Sequence, residues 1–293
     1  MNPSELKRMS LSEMIIYIGV VWYRSSATER ALWLKSAVNA VSQVPSNDRF
    51  AIVEIDNTEE AFGQSEKTKE VSEKISSISL AGQGNIGFGA AHNMLMAKAF
   101  SENANFYIGV NPDGCFHRLS LARMLPRITA QPEHLYEMRQ FPTEHPKHYA
   151  ADTGETLWAS GAAFCLSREA WQVVGGFDDT FFMYCEDVDL SWRFKLHDRK
   201  CITVPDSLYY HSTANRKPSE TIEQRFLLSG LLLGKKYGIE DLITRCENAL
   251  KAKGVPVPDT QPKNPMSEEQ KYKFQKEIYY QGDFSFSPIR WSL

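Results

Sequence analysis

NFYIGVNPDG, residues 105–114, sets an apolar run of aromatic and β-branched residues directly against Asn111-Pro112-Asp113-Gly114. A short run that is apolar on both faces is what a strand inside a parallel sheet requires. The proline-stiffened turn then leaves a carboxylate at the strand's carboxyl end, where open α/β sheets bind their ligands. Upstream, EMIIYIGVVW (13–22), FAIVEID (50–56) and ISSISLA (75–81) read as further strands. ERALWLKSAVNAV (29–41) and GAAHNMLMAKAF (89–100) carry helical spacing between them, and EAFGQSEKTKEVSEKI (60–75) reads as helical or partly looped. This alternation predicts an α/β fold with a parallel sheet at its centre.

Downstream the rhythm changes. Loops rich in Pro and His are expected through 126–156, followed by LWASGAAFCLS (157–167), a helix starting at Arg168 and the turn GGFDD (175–179). EDVDLSWRFKLH (186–197) is expected to be helical, and KCITVPDSLYYHS (200–212) to form one or two strands. The remainder reads as helices over 218–237 and 239–252, a proline-punctuated spacer near 254–265 and a charged helix from about 267. The expected organisation is therefore a domain over 1–215 and a C-terminal helical extension over 216–293.

Composition narrows the functional class. With 33 Lys+Arg against 36 Asp+Glu, the net charge of −3 supplies no basic field for nucleic acid, so no nucleic-acid partner is expected. Five scattered cysteines without a CxxC pair argue against a disulfide framework or a structural zinc, and fit a reducing cytoplasm. The apolar run from Met14 to Tyr23 follows Glu13 and lacks a small-residue cleavage site, so it reads as a first strand, not a signal peptide. FLLSGLLLG (226–234) is about half the ~20 residues that span a bilayer. With the basic residues that follow it, this stretch suggests peripheral contact at the inner face of the cytoplasmic membrane, or self-association into a homo-oligomer. A helical cap over the sheet fits the same residues.

Four constellations carry candidate chemistry. Gly82-Gln83-Gly84-Asn85-Ile86-Gly87 matches the dinucleotide fingerprint, yet it follows the third apparent strand and lacks a strand-end acid about 20 residues on. A glycine turn for tight packing, or a loop beside another nucleotide with Asn85 and Asn93 as donors, fits equally. Asn111-Pro112-Asp113-Gly114 is a good β-turn, and also a good site for a hard cation that touches diphosphate oxygens. Glu186, Asp187 and Asp189 open a helix, where its dipole favours acids, and Asp189 pairs in helical spacing with Arg193. The aromatic run entering those acids suggests a cleft in which one carboxylate is poised as a general base. His211 ends a strand and is either structural or, with Asp113, part of a mixed carboxylate and imidazole metal site.

In order, Asp56-Asn57, NIGFGAAHN (85–93), NPDG (111–114), ASGAAFCLSREAWQVVGGFDDTFFMYCEDVDLSWR (159–193) and His211 form a pattern that resembles the inverting family 2 glycosyltransferases of GT-A fold. The likeness is strongest to bacterial rhamnosyltransferases that build O-antigen and other surface polysaccharides. It spans roughly 13–215, with GGFDDTFFMYCEDVDL as its most specific part. The resemblance implies a Rossmann-like mixed sheet flanked by helices. It implies that Asp56, with Asn57 beside it, contacts the nucleotide base, and that Asn85, Gly87, Phe88, Asn93 and Asn111 line the donor pocket. Asp113 and His211 would hold a divalent cation, Mg²⁺ or Mn²⁺. Asp187 would be the catalytic base with Glu186 orienting the acceptor, and Trp158, Gly161 and Phe177 would border the acceptor side. The implied donor is dTDP-rhamnose, or alternatively a UDP-sugar, and the acceptor is a saccharide or lipid-linked oligosaccharide. Trp22 stands where the family commonly has a small hydroxyl residue, which implies an altered base pocket. Asn111 in place of a first carboxylate implies weaker metal dependence. An inactive carbohydrate-binding subunit and a Rossmann oxidoreductase are the rival classes.

Overall fold

The computed structural model describes residues 13–61, 67–72, 75–144, 147, 150–211 and 219–278. Strand β1 (Ile15–Trp22) leads into α1 (Ala27–Ser42), whose start is fixed by a reciprocal cap. Ser26 Oγ accepts from Glu29 N at 3.2 Å while Ser26 N donates to Glu29 Oε2 at 2.7 Å. Then come β2 (Arg49–Asp56), β3 (Lys67–Ser72), β4 (Ile75–Ser79), α2 (Phe88–Ser101), β5 (Phe106–Val110) and β6 (Gly114–Phe116). After α3 (Ser120–Ala130) follow β7 (Leu135–Phe141), β8 (Glu155–Thr156), β9 (Ala163–Ser167), α4 (Arg168–Val174), α5 (Glu186–Leu196) and β10 (Cys201–His211). The chain continues through α6 (Glu220–Tyr237), α7 (Glu240–Ala252) and α8 (Glu268–Lys273).

The strands form one mixed sheet in the order β3-β4-β2-β1-β5-β9-β7-β10-β6, with β8 beside the start of β10. β4, β2, β1 and β5 run parallel, and β9 turns the direction by pairing antiparallel with both β5 and β7. Every residue of β5 is buried, as a strand covered on both faces requires. One face packs on α1 and α3 through Trp33, Met124 and Ile128. The other packs on α2, α4 and α5 through Leu95, Ala170 and Leu190.

Two regions differ from the sequence expectation. The 60–75 segment contains strand β3 where a helix was expected, because pairing with the edge of β4 supplies hydrogen bonds that local sequence does not advertise. Residues 62–66 and 73–74 of it lie outside the described residues. The expected loop region before 157 contains α3, β7 and β8. Within the 200–212 stretch, expected as one or two strands, Cys201–His211 is one strand, with a register shift between Val204 and Leu208 that absorbs Pro205.

The C-terminal helices share a core with the rest of the chain. Leu231, Leu232, Leu233, Tyr237, Leu242 and Phe274 cluster with Trp158, Phe181, Cys185, Val188 and Trp192, across the position expected as a boundary. Burying each large side chain of this kind is worth about 1.5–3 kcal/mol. FLLSGLLLGKKYG is therefore not the apolar and basic surface expected from its composition: residues 229–234, Lys236 and Tyr237 are buried. Only the earlier part of α6 exposes apolar side chains, Ile222 and Phe226. No helix among the described residues is long and apolar enough to cross a membrane.

Candidate active site

The parallel register fixes the first wall. Trp22 lies opposite Asp56 at the ends of β1 and β2, and Val20 lies opposite Val110 of β5, so three strand ends share one edge. Trp22 belongs to the core: its ring stacks edge-on to Trp33 at 5.5 Å and its indole N–H donates to Glu54 Oε2 at 2.7 Å. Asp56 forms an ion pair with Arg30, whose guanidinium also lies 5.0 Å above the Trp22 ring, and accepts from Thr58 N at 2.9 Å. Burial works to raise the Asp56 pKa, but the hydrogen bonds from Thr58 and Arg30 outweigh it and hold the carboxyl below its ordinary range. Arg30 was invisible to sequence reading because nothing in a helix of mixed character marks one arginine as facing a strand end.

Asn57 is buried beside this pair and donates from Nδ2 to Gly87 O at 3.0 Å, while its Oδ1 has no partner. Gly87 has φ +88°, and a Cβ there would sit 2.4 Å from the carbonyl oxygen of Phe182. That same carbonyl accepts the first amide of α2, Phe88 N, at 3.0 Å. The glycine-rich segment thus serves close backbone packing against the 177–185 loop, and the amide a pyrophosphate would need is already engaged. Asn85 Oδ1 accepts from Gly87 N at 3.3 Å. Asn93 brackets Phe177, donating to its carbonyl at 2.9 Å and accepting from its amide at 2.8 Å. Both asparagines shape backbone at this wall.

At the end of β5, Asn111 N donates to Ala162 O at 2.9 Å and Asn111 O accepts from Tyr209 O–H at 2.6 Å. Antiparallel pairing of β10 with β6 places His211 opposite Gly114, which brings its Nε2 to 3.3 Å from Asp113 Oδ1 and 3.3 Å from Asn111 Nδ2. The other ring nitrogen, Nδ1, lies 2.7 Å from Gln140 Oε1. An amide oxygen can only accept, so Nδ1 carries the proton and the Nε2 lone pair faces Asp113. That lone pair takes the Asn111 amide hydrogen, and together with the Asp113 carboxylate it forms an acceptor pair that a cation could bridge. Sequence reading brought Asp113, Asn111 and His211 together but missed Gln140, which sits on a strand it did not find. Among the described residues no group of three or more His, Cys, Asp or Glu side chains is gathered for a metal. A carboxylate plus one oriented imidazole fits a divalent cation that completes its shell with phosphate oxygens and water.

The second wall is the loop over residues 157–162 and the start of α5. Gly161 N donates to Asp187 Oδ2 at 2.9 Å, and Val188 N to Oδ1 at 2.9 Å. A Cβ at Gly161 would meet the Phe88 ring at 3.1 Å and Asp187 Cβ at 3.6 Å, so glycine permits the loop to lie flat on both. Each amide along this loop is held. Ala159 N donates to Ser191 Oγ at 2.9 Å, Ser160 N to Glu137 Oε2 at 2.6 Å and Ala162 N to Ser160 Oγ at 3.2 Å. Lys147, buried, pairs with Glu137 at 2.6 Å, donates to Trp158 O and sits 4.4 Å over the Trp158 ring. Neither Lys147 nor Glu137 was flagged by sequence: Glu137 lies on β7, in a stretch read as loop, and nothing local marks Lys147 as its partner. Phe177 is buried among Phe88, His92 and Phe164, and its ring packs on Phe88, which lies against Gly161.

Burial raises the Asp187 pKa above its ordinary value, with the Gly161 and Val188 amides and the Lys147 charge opposing it. Glu186 is buried with Oε2 unpartnered, and burial together with the Asp187 charge pushes its pKa well up. Burial and the neighbouring negative charge thus both favour the protonated form of Glu186. Asn111 and Asp187 are tied through the adjacent residues Ala162 and Gly161, so the two walls meet at the end of β5.

No protein-family model matches the chain. It is 40% identical over 58 residues to an N-acetylglucosaminyl-diphospho-decaprenol L-rhamnosyltransferase of Mycobacterium tuberculosis, covering 20% of this chain and 19% of that protein. It is 29% identical over 107 residues to rhamnosyltransferase WbbL of Escherichia coli K12, covering 31% of this chain and 40% of that protein. The chain therefore matches well under half the length of these curated relatives. Among solved structures it is similar to GalNAc-T7 with UDP, GalNAc and Mn²⁺, at TM-score 0.58 and 11% identity over 90% of this chain and 55% of the other. Staphylococcus aureus TarS gives TM-score 0.53 and 13% identity over 81% and 43%. A Pyrobaculum calidifontis mannosyltransferase with GDP-Man and Mn²⁺ gives 0.50 and 12% over 74% and 61%. The chain has the GT-A fold of the glycosyltransferases, and its sequence is rhamnosyltransferase-like over a limited stretch.

Proposed function

We propose that the chain is an inverting glycosyltransferase that moves a sugar, L-rhamnose from dTDP-rhamnose, onto a hydroxyl of a saccharide or lipid-linked oligosaccharide. The observation that carries this reading is the meeting of two unlike groups at the end of β5. Asp113 faces an oriented His211, and two residues of loop away Asp187 is a carboxylate with a raised pKa. One set suits a departing diphosphate and the other suits a proton acceptor, which are the two requirements of a single in-line displacement.

In this reading Asp187 accepts the proton of the attacking hydroxyl as the oxygen closes on the anomeric carbon. The bond to the diphosphate oxygen breaks in the same step, so configuration inverts without a covalent nucleophile. The Gly161 and Val188 amides keep the Asp187 carboxylate aimed, and neutral Glu186 adds no second charge to repel it. Asp113 and His211 would hold Mg²⁺ or Mn²⁺, whose chemistry when bound is to neutralise charge growing on the leaving nucleoside diphosphate. Mn²⁺ accompanies the nucleotide or nucleotide-sugar in two of the structural neighbours. Rhamnose and dTDP rest on the partial sequence likeness, so the nucleotide is where the reading is most exposed.

Calorimetric titration with dTDP, UDP, GDP and NAD, each with Mg²⁺, Mn²⁺ or chelator, tests it. Metal-enhanced dTDP binding is expected. Preference for UDP would replace rhamnose by a UDP-sugar within the same enzyme class, and NAD binding without any nucleoside diphosphate would overturn the glycosyltransferase reading.

A further inference from the structure

A buried charge cluster behind the candidate base is left without a use by the reading above. Lys236, in the last turn of α6, places Nζ 2.6 Å from Asp178 Oδ2 and 2.6 Å from Asp189 Oδ1, and all three side chains are 2% exposed or less. Arg193 holds the other Asp189 oxygen at 2.9 Å, and donates to Val174 O at 2.9 Å and Gly176 O at 2.6 Å. Tyr237 O–H donates to Asp189 Oδ1 at 3.0 Å. Two acids and two cations are thus balanced in a place where a lone charge would be severely penalised.

A second contact from α6 lies closer to the reacting residues: Ser229 Oγ donates to Met183 O at 2.6 Å. Between these two anchors the backbone is strained. Tyr184 and Cys185 adopt φ 71° and 63° in succession, and neither is glycine. Left-handed conformations of this kind cost about 1–3 kcal/mol each, and persist only where the surroundings over-determine them. Cys185 is also the residue from which α5 starts, its carbonyl accepting the Asp189 amide at 2.9 Å. The Tyr184-Cys185 turn therefore sets the direction of the first helical turn, which carries Glu186 and Asp187.

We propose that α6 is a clamp on this turn: Lys236 and Ser229 are positioning residues that hold the strained Tyr184-Cys185 backbone and so aim Asp187 at the acceptor hydroxyl. The inference deepens the proposed function and rests on Asp187 being the base. It gives the C-terminal helices a task that neither membrane contact nor a passive cap would supply, because the two anchors grip the chain on both sides of one turn, at Asp178 and Met183 before it and Asp189 after it. A passive cap would lower stability when weakened, yet leave the folded enzyme's turnover per molecule intact.

The test uses the full-length chain with Lys236→Met and, as the milder change expected to fold in any case, Ser229→Ala. Amide exchange read by mass spectrometry should rise about 10-fold or more across 178–190 in Lys236→Met, and by a smaller factor in Ser229→Ala, with β1 and β5 unchanged. In transfer assays kcat should fall about 10–100-fold in Lys236→Met while donor KM stays within about threefold, as expected for a misplaced base with an intact donor site. Unchanged exchange across 178–190 in both variants would overturn the clamp, whether or not the chain transfers a sugar. Local deprotection with wild-type kcat per folded molecule would overturn the positioning role while leaving the proposed function standing. A wild-type chain without any transferase activity would overturn the proposed function, and with it the aiming of Asp187.

Discussion

The two walls of the site are built by different physics. In the proposed reading one wall faces the donor and the other the acceptor. The proposed donor wall is a row of strand ends, placed by parallel register among β2, β1 and β5 and by the pairing of β10 with β6. Its geometry is a consequence of a sheet whose central strands are buried on both faces. The acceptor wall has little regular structure to lean on. Residues 157–162 and 177–185 are loops, and what places them is a set of specific side-chain anchors: Glu137 and Lys147 beneath one, Asn93, Ser229 and Lys236 around the other. A sheet edge averages over many hydrogen bonds and tolerates the loss of one. A loop hung on three or four polar contacts does not, so single substitutions should separate the walls cleanly.

The sharpest break comes from Asp187→Asn, which keeps the shape and one acceptor oxygen but removes the base. Transfer should fall at least about 10³-fold while nucleotide binding, a property of the other wall, stays within about threefold. The pH profile sharpens this. Asp187 must be ionised to act, and burial raises its pKa, so wild-type kcat/KM should climb through a limb lying above the ordinary carboxylate value of about 4. A limb at that ordinary value, or turnover surviving in Asp187→Asn, would break the assignment.

The next largest effect belongs to Lys147→Met. Removing the cation leaves Glu137 buried with Ser160 N and the Thr203 hydroxyl as its remaining partners among the described residues. Breaking a buried pair from one side typically costs about 3–5 kcal/mol, and the surviving hydrogen bonds favour the lower end. Denaturant unfolding should show that loss. The companion Lys147→Met, Glu137→Gln double variant should recover a substantial part of it, because no uncompensated charge is then buried. Equal stability of the single and double variants would mean that the loop is held by packing of Trp158 alone.

The contrast also explains which parts were legible in the sequence. β1, β2 and β5 are continuous apolar runs ending in polar residues, so both the strands and the strand-end positions Asp56, Asn111 and Asp113 could be read off. The ED pair stood out because three acids open a helix after an aromatic run. Charges that act across long sequence distances were not legible. Lys147, Glu137, Arg30 and Lys236 each meet their partners 10 to 58 residues away, and nothing local distinguishes them from solvated residues. Lys236 was misread outright, since a lysine after LLLG looks like an interfacial charge until its two aspartates are in place. The strand β3 was missed for a related reason: its pairing comes from β4, and its own pattern is too polar to announce a strand.

The smallest expected effect tests whether the donor wall is as forgiving as its construction suggests. Gln140 stands behind His211: it accepts the Nδ1 hydrogen and thereby points the Nε2 lone pair toward Asp113. Gln140→Leu keeps the strand, whose hydrogen bonds are backbone, but frees the ring to rotate and to exchange tautomers. Outer-sphere partners of metal-binding histidines are worth about 10–100-fold in metal affinity. Mn²⁺-supported dTDP binding should therefore weaken by about that factor, while binding in chelator stays at the wild-type level and the unfolding midpoint barely moves. An identical loss with and without metal would place Gln140 in the sheet's stability and not in the orientation of His211. No loss in either condition would mean that the Asp113 and His211 pair holds no cation, so that the charge of the departing diphosphate must be met by the protein's own donors.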